Sequence, residues 1–105
     1  YNLFEIDRTH IRSKTKLPKG KVTIEVVSRL ASPKSGAPLN VSLKVDGKEV
    51  AKGQVPITAA FAFTANECLD FGSDLGSPVS TDYYDKAPFI FNGYIGTSKV
   101  WYPKK

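Results

Sequence analysis

Methionine is missing from this sequence, and cysteine and histidine occur once each. No apolar run approaches the length of a membrane span or of the core of a signal peptide. Each gap excludes something. A lone cysteine, Cys68, allows no internal disulfide, so the fold must stand on its core. It also excludes zinc sites built on several thiolates. A lone imidazole, His10, is too few for most metal or acid–base constellations. With Tyr1 first and no methionine, the chain reads as a processed product or as a piece of a longer polypeptide, any leader lying upstream. Acids are nearly missing between residues 8 and 34, where Arg8, Arg12, Lys14, Lys16, Lys19, Lys21, Arg29 and Lys34 face only Glu25. Bases are missing between 67 and 85, where Glu67, Asp70, Asp74, Asp82 and Asp85 fall. The basic stretch reads as a solvated face, or one meeting an acidic patch of the same polypeptide. Its cations are mostly lysines without interleaved aromatics, so a nucleic-acid partner is not expected.

What is present is the signature of strands. The 105 residues suit one domain, 1–105, with one modest core. Val22, Ile24 and Val26 alternate with Lys21, Thr23 and Glu25, the period of a strand with one buried face. Pro33, Gly36 and Pro38 break the chain next. Val41, Leu43 and Val45 alternate again, followed by Asp46-Gly47 and the run Lys48–Val55. An Asp-Gly pair between alternating runs predicts a hairpin with a type I′ turn, because both turn positions need positive φ. Ile57 to Ala65 holds four alanines, but Ile57, Phe61 and Phe63 at odd positions and the lack of an N-cap favour a strand. Residues 70–78 read as a loop, and Phe89–Phe91 and Lys99–Tyr102 as further strands. Gly93 and Gly96 suggest a bulge or a close backbone approach. The expected fold class is all-β, an antiparallel β-sandwich of about six to eight short strands.

Chemistry-bearing residues are sparse. His10 has no evident nucleophile or orienting partner, and Cys68 has no neighbouring base to favour its thiolate. Asp70 and Asp74 lie in a glycine-rich loop and are the candidate cation ligands. Their spacing does not match the EF-hand pattern, and aspartates that accept backbone N–H groups are the preferred reading. The last third of the chain is rich in rings, among which Tyr84, Tyr94 and Trp101 are candidates for sugar stacking or for contact with a neighbouring domain. No Walker loop, dinucleotide fingerprint or glycosidase-like carboxylate pair is present.

Four stretches in order carry a family resemblance: Tyr1-Asn2-Leu3-Phe4 with Arg8 and Leu17-Pro18-Lys19-Gly20-Lys21; Leu43-Lys44-Val45-Asp46-Gly47-Lys48-Glu49-Val50 with Gly53; Leu69-Asp70-Phe71-Gly72-Ser73-Asp74-Leu75-Gly76-Ser77-Pro78-Val79; and Pro88-Phe89-Ile90-Phe91-Asn92-Gly93 leading to Val100. Together they resemble the extreme C-terminal region of long bacterial arylsulfatases. The resemblance implies a jelly-roll-like sandwich that follows a catalytic α/β domain. It also implies a parent that hydrolyses sulfate esters with formylglycine and a divalent cation, usually calcium, in a compartment set by an upstream signal. The formylglycine motif C/S-x-P/A-x-R does not map onto Cys68, which is followed by Leu69-Asp70-Phe71-Gly72. No catalytic, cofactor-binding or metal residue is therefore transferred. The expectation is a non-catalytic accessory domain whose partner is the upstream catalytic domain of the same polypeptide, with no membrane partner. The alternative is a carbohydrate-binding module that recognises a sulfated glycan.

Overall fold

The computed structural model describes residues 1–59, 71–74 and 78–102. The chain divides into two compact units, Tyr1–Ala65 and Asn66–Lys105. Among its described residues the first unit holds five strands, all paired antiparallel, in sheets of two and three. That strand content agrees with an all-β chain.

The small sheet is a hairpin of β1 (Asn2–Leu3) and β2 (Asp7–Arg8), with Asn2 opposite Arg8. Its turn puts Phe4 and Glu5 at positive φ, which costs non-glycine residues conformational energy. The Asn2 side chain offsets part of this: its Oδ1 accepts the Glu5 N–H at 2.8 Å. Nothing in the apolar pattern of residues 1–6 signals this hairpin.

The larger sheet is a meander of β3 (Ile24–Leu30), β4 (Leu39–Val45) and β5 (Lys48–Val55), in that order. The Asp46-Gly47 turn forms as expected, with φ of 50° and 81°. Asp46 also anchors the start of β3. Its Oδ1 accepts the Thr23 N–H at 2.9 Å, and its own N–H donates to the Thr23 carbonyl at 2.8 Å. The expected strand at Lys21–Val26 is thus displaced, since Thr23 is spent on the turn and the ladder runs from Ile24 to Leu30.

No atom lies within 4 Å of where a Cβ at Gly47 would sit, so Gly47→Ala meets backbone strain alone. We expect a loss of about 1–2 kcal/mol. It should appear in urea titration as a lower midpoint with an unchanged slope.

Register separates two faces. Leu43 opposes Ala51 while Lys44 opposes Glu49, so Val50 is the extra residue of a β-bulge. One face carries Ile24, Val26, Ser28 and Leu30 from β3, then Leu39, Val41, Leu43 and Val45, then Lys48, Ala51, Gly53 and Val55. The other carries Glu25, Val27 and Arg29, Asn40, Ser42 and Lys44, then Glu49, Lys52 and Gln54, with Val27 its one large apolar side chain. Polar pairs tie that second face across strands: Ser42 Oγ donates to Glu49 Oε2 at 2.7 Å, and Gln54 Nε2 to Asn40 Oδ1 at 2.9 Å.

The β3–β4 loop is closed by Ala31 N–H donating to the Pro38 carbonyl at 2.8 Å. The segment after β5 returns to it, with Thr58 Oγ1 donating to the Ala37 carbonyl at 2.7 Å. Ala37 and Val55 are buried. Residues 57–59 are irregular rather than a strand, because Thr58 is engaged by this loop and Ala59 N–H donates to Tyr1 Oη at 2.9 Å. The rest of the expected 57–65 strand lies outside the described residues.

In the second unit, buried Ser80 caps a short 3₁₀ helix, Thr81–Lys86, its Oγ accepting the Asp82 N–H at 3.2 Å. Tyr83 and Phe89 meet edge to face, centroids 5.2 Å apart. The expected strands at Phe89–Phe91 and Lys99–Tyr102 are not formed. Phe89 sits at φ 58° and its N–H closes a turn on the Lys86 carbonyl, while Phe91 N–H donates to Gly72. Those amides are spent on single contacts rather than on a ladder. Lys99–Tyr102 finds no strand partner among the described residues. At Gly93 the near group is a side chain and not the backbone approach expected, a Cβ there lying 2.6 Å from the Phe91 ring, while at Gly96 the nearest atom is 4.0 Å away.

Candidate interaction surfaces

The apolar face of the three-stranded sheet is covered unevenly. Over β5 it is closed. A Cβ at Gly53 would lie 2.9 Å from Ile11 Cγ1, so the missing side chain is what lets Ile11 settle on the sheet. In the row Leu30–Leu39–Val55, exposure falls from 51% at Leu30 to half-buried at Leu39 and 2% at Val55. Over β3 the face is open: Ile24 and Val26 keep 58% and 62% exposure. Ile24 and Val26 are neighbours on this face, and Leu30 follows beyond the polar Ser28. The alternation of residues 22–26 reads as a buried face, and no local signal tells that this edge would stay uncovered.

A second feature lies beside the hairpin. The segment 12–18 runs along residues 45–52, and between them is a cleft of about 510 Å³. Arg12, Lys14 and Lys16 line it from one side, Lys48 and Lys52 from the other. The two acids of the lining are already engaged by the protein: Asp46 accepts from Thr23 and Glu49 accepts from Ser42. Lys14, Lys16, Lys48 and Lys52 make no ion pair among the described residues. The 12–16 basic run was visible in the sequence. Its meeting with hairpin lysines more than thirty residues away was not.

The sequence candidates are dispersed. Tyr84 is exposed on the 3₁₀ helix, and Tyr94 and Trp101 are exposed on the irregular segment that follows. Among the described residues the three rings do not stack on one another, and Tyr83 with Phe89 is the ring contact of that unit. Asp74 is half-buried, its N–H donating to the Pro88 carbonyl at 2.8 Å. Asp70 and Cys68 lie outside the described residues. His10 Nδ1 accepts from Arg12 Nη2 at 2.9 Å, since a guanidinium only donates. Among the described residues no three His, Cys, Asp or Glu side chains converge.

Comparison with protein-family models, curated proteins and solved structures finds no match.

Proposed function

We propose that this chain is a non-catalytic accessory domain of a sulfate-ester hydrolase, a jelly-roll-like sandwich that packs through its open sheet face on a larger catalytic domain of the same polypeptide. The observation that carries this reading is the half-covered apolar face. The chain's own Ile11 closes the face over β5, while Ile24, Val26 and Leu30 on β3 remain in water. Burying such a side chain fully is worth roughly 1.5–3 kcal/mol, so Ile24 and Val26 side by side, with Leu30 beyond Ser28, are a drive toward association. An outside surface laid on β3 would supply the facing layer of a sandwich. The type of parent comes from the resemblance to the arylsulfatase C-terminal region. Formylglycine and calcium chemistry would belong to that parent's catalytic domain, and no residue of this chain is given a part in it.

The test is the coding sequence on either side of the Tyr1 codon. A C/S-x-P/A-x-R motif with Asp and Asn metal positions upstream, in the same reading frame, is the expected result. A reading frame that contains these residues with no such motif ends the sulfatase reading.

A further inference from the structure

From the cleft beside the β4–β5 hairpin we infer a binding site for a linear sulfated polysaccharide. This goes beyond the docking role and does not depend on which domain covers the apolar face. Three observations carry it. First, the cleft has a cation excess that the protein does not neutralise itself. Arg12, Lys14, Lys16, Lys48 and Lys52 stand in the lining against two acids, Asp46 and Glu49, so positive charge remains after both carboxylates are counted. The four lysines of the two walls have no ion-pair partner among the described residues. Like charges gathered in a concave surface reinforce one another's potential and attract a polyanion.

Second, the cations sit on both walls. Lys14 and Lys16 come from one segment and Lys48 and Lys52 from the other, where register puts Lys48 on the Val45 side of the sheet and Lys52 on the Ser42 side, so a chain lying along the cleft has lysines within reach from both segments. Lysine offers a rotatable, strongly hydrated point charge, which suits sulfate esters placed at varied angles along a sugar chain. Third, between the cations the lining is aliphatic, with Leu17, Pro18, Val50 and Ala51, and contains no aromatic ring. Aliphatic side chains suit the C–H faces of pyranose rings. Single-stranded nucleic acids add about 1–3 kcal/mol per base by stacking on aromatic rings, and this cleft has none to offer. A small inorganic anion would use one or two of the lysines and none of the aliphatic surface.

The test is isothermal titration of the 105-residue chain at about 0.15 M salt, where exposed charges farther apart than about 8 Å are largely screened. The probes are dextran sulfate, plain dextran, sodium sulfate and single-stranded oligothymidine. Saturable heat is expected with dextran sulfate and none with plain dextran or millimolar sodium sulfate. Oligothymidine should bind at least about tenfold more weakly. The variant K14Q/K16Q/K48Q/K52Q should lose at least about tenfold in dextran sulfate affinity. The variant K19Q/K21Q/K34Q/K99Q removes the same charge from exposed positions outside the cleft and should lose less than about threefold. All eight lysines are exposed, so both variants should keep the parent urea midpoint. Arginine at the four cleft positions should retain binding, which supports the site even if the glutamine variant folds poorly. Equal losses in the two glutamine variants would reduce the effect to overall charge and overturn the site. Oligothymidine binding as tight as dextran sulfate, or no heat with dextran sulfate, would also overturn it.

Discussion

Val55→Asp is expected to unfold the first unit at neutral pH and to be partly rescued by acid. Val55 ends β5 opposite Leu39 and is 2% exposed, the most buried apolar side chain described. A carboxylate there has no cation within the apolar row Leu30–Leu39–Val55 to compensate it. Burying an uncompensated charge costs about 3–5 kcal/mol after the protein relaxes. A unit of this size is held by only a few kcal/mol in total, at roughly 0.05–0.15 kcal/mol per residue. Desolvation raises the folded-state pKa of such an aspartate above its unfolded value of about 3.9. The neutral acid is therefore tolerated below that unfolded pKa, and stability is lost as pH rises through the raised folded value. Urea titrations of parent and variant should differ most at pH 7 and converge toward pH 4. Val55→Asn should show a deficit without that pH dependence. Equal deficits of Val55→Asp at the two pH values would mean that water reaches position 55.

The parts of the fold legible in the sequence were those set by local rules. Asp46-Gly47 specifies its turn because few other pairs accept positive φ at both positions, and the alternating runs on either side specify which face each residue takes. Strand limits were less legible, because long-range contacts decide them. The Asp46 side chain takes the Thr23 amide, so β3 starts at Ile24, and pairing with β4 carries it through Val27 to Leu30. A local clue to the bulge was present. Val50 and Ala51 are consecutive small apolar residues in an otherwise alternating run, and the extra residue is what restores Ala51, Gly53 and Val55 to the apolar face. The segment 89–102 shows the limit of pattern reading. Phe89 and Phe91 alternate like a strand, yet the turn on Lys86 and the link to Gly72 claim their amides first. The aromatic residues of the last third read mainly as packing, yet Tyr84, Tyr94 and Trp101 are exposed, and their mutual arrangement depends on that irregular path. The basic cleft was half legible: the 12–16 run was plain, whereas its partners Lys48 and Lys52 join it only through the return of the hairpin.

Replacing Ile24 and Val26 by threonine should leave the isolated chain as stable as before and weaken its attachment to the larger polypeptide. Threonine keeps the β preference of the branched residues, so β3 should pair with β4 unchanged. In the isolated chain both side chains already lie more than half in water, at 58% and 62% exposure. Surface changes of this kind usually shift stability by less than about 0.5 kcal/mol. In the full polypeptide the same two positions would be covered by the catalytic domain. Losing their remaining burial should cost about 2–3 kcal/mol, or roughly 30- to 150-fold in the ratio of docked to undocked states. Hydrogen exchange of the β3 amides reads that ratio directly, because an undocked edge strand exchanges from local opening. Faster exchange in the full polypeptide, with an unchanged urea midpoint in the isolated chain, is the expected pair of results. An equal loss in both settings would make Ile24 and Val26 part of this chain's own core. No change in either would remove the face from the docking surface and leave the polyanion cleft as the chain's remaining functional site.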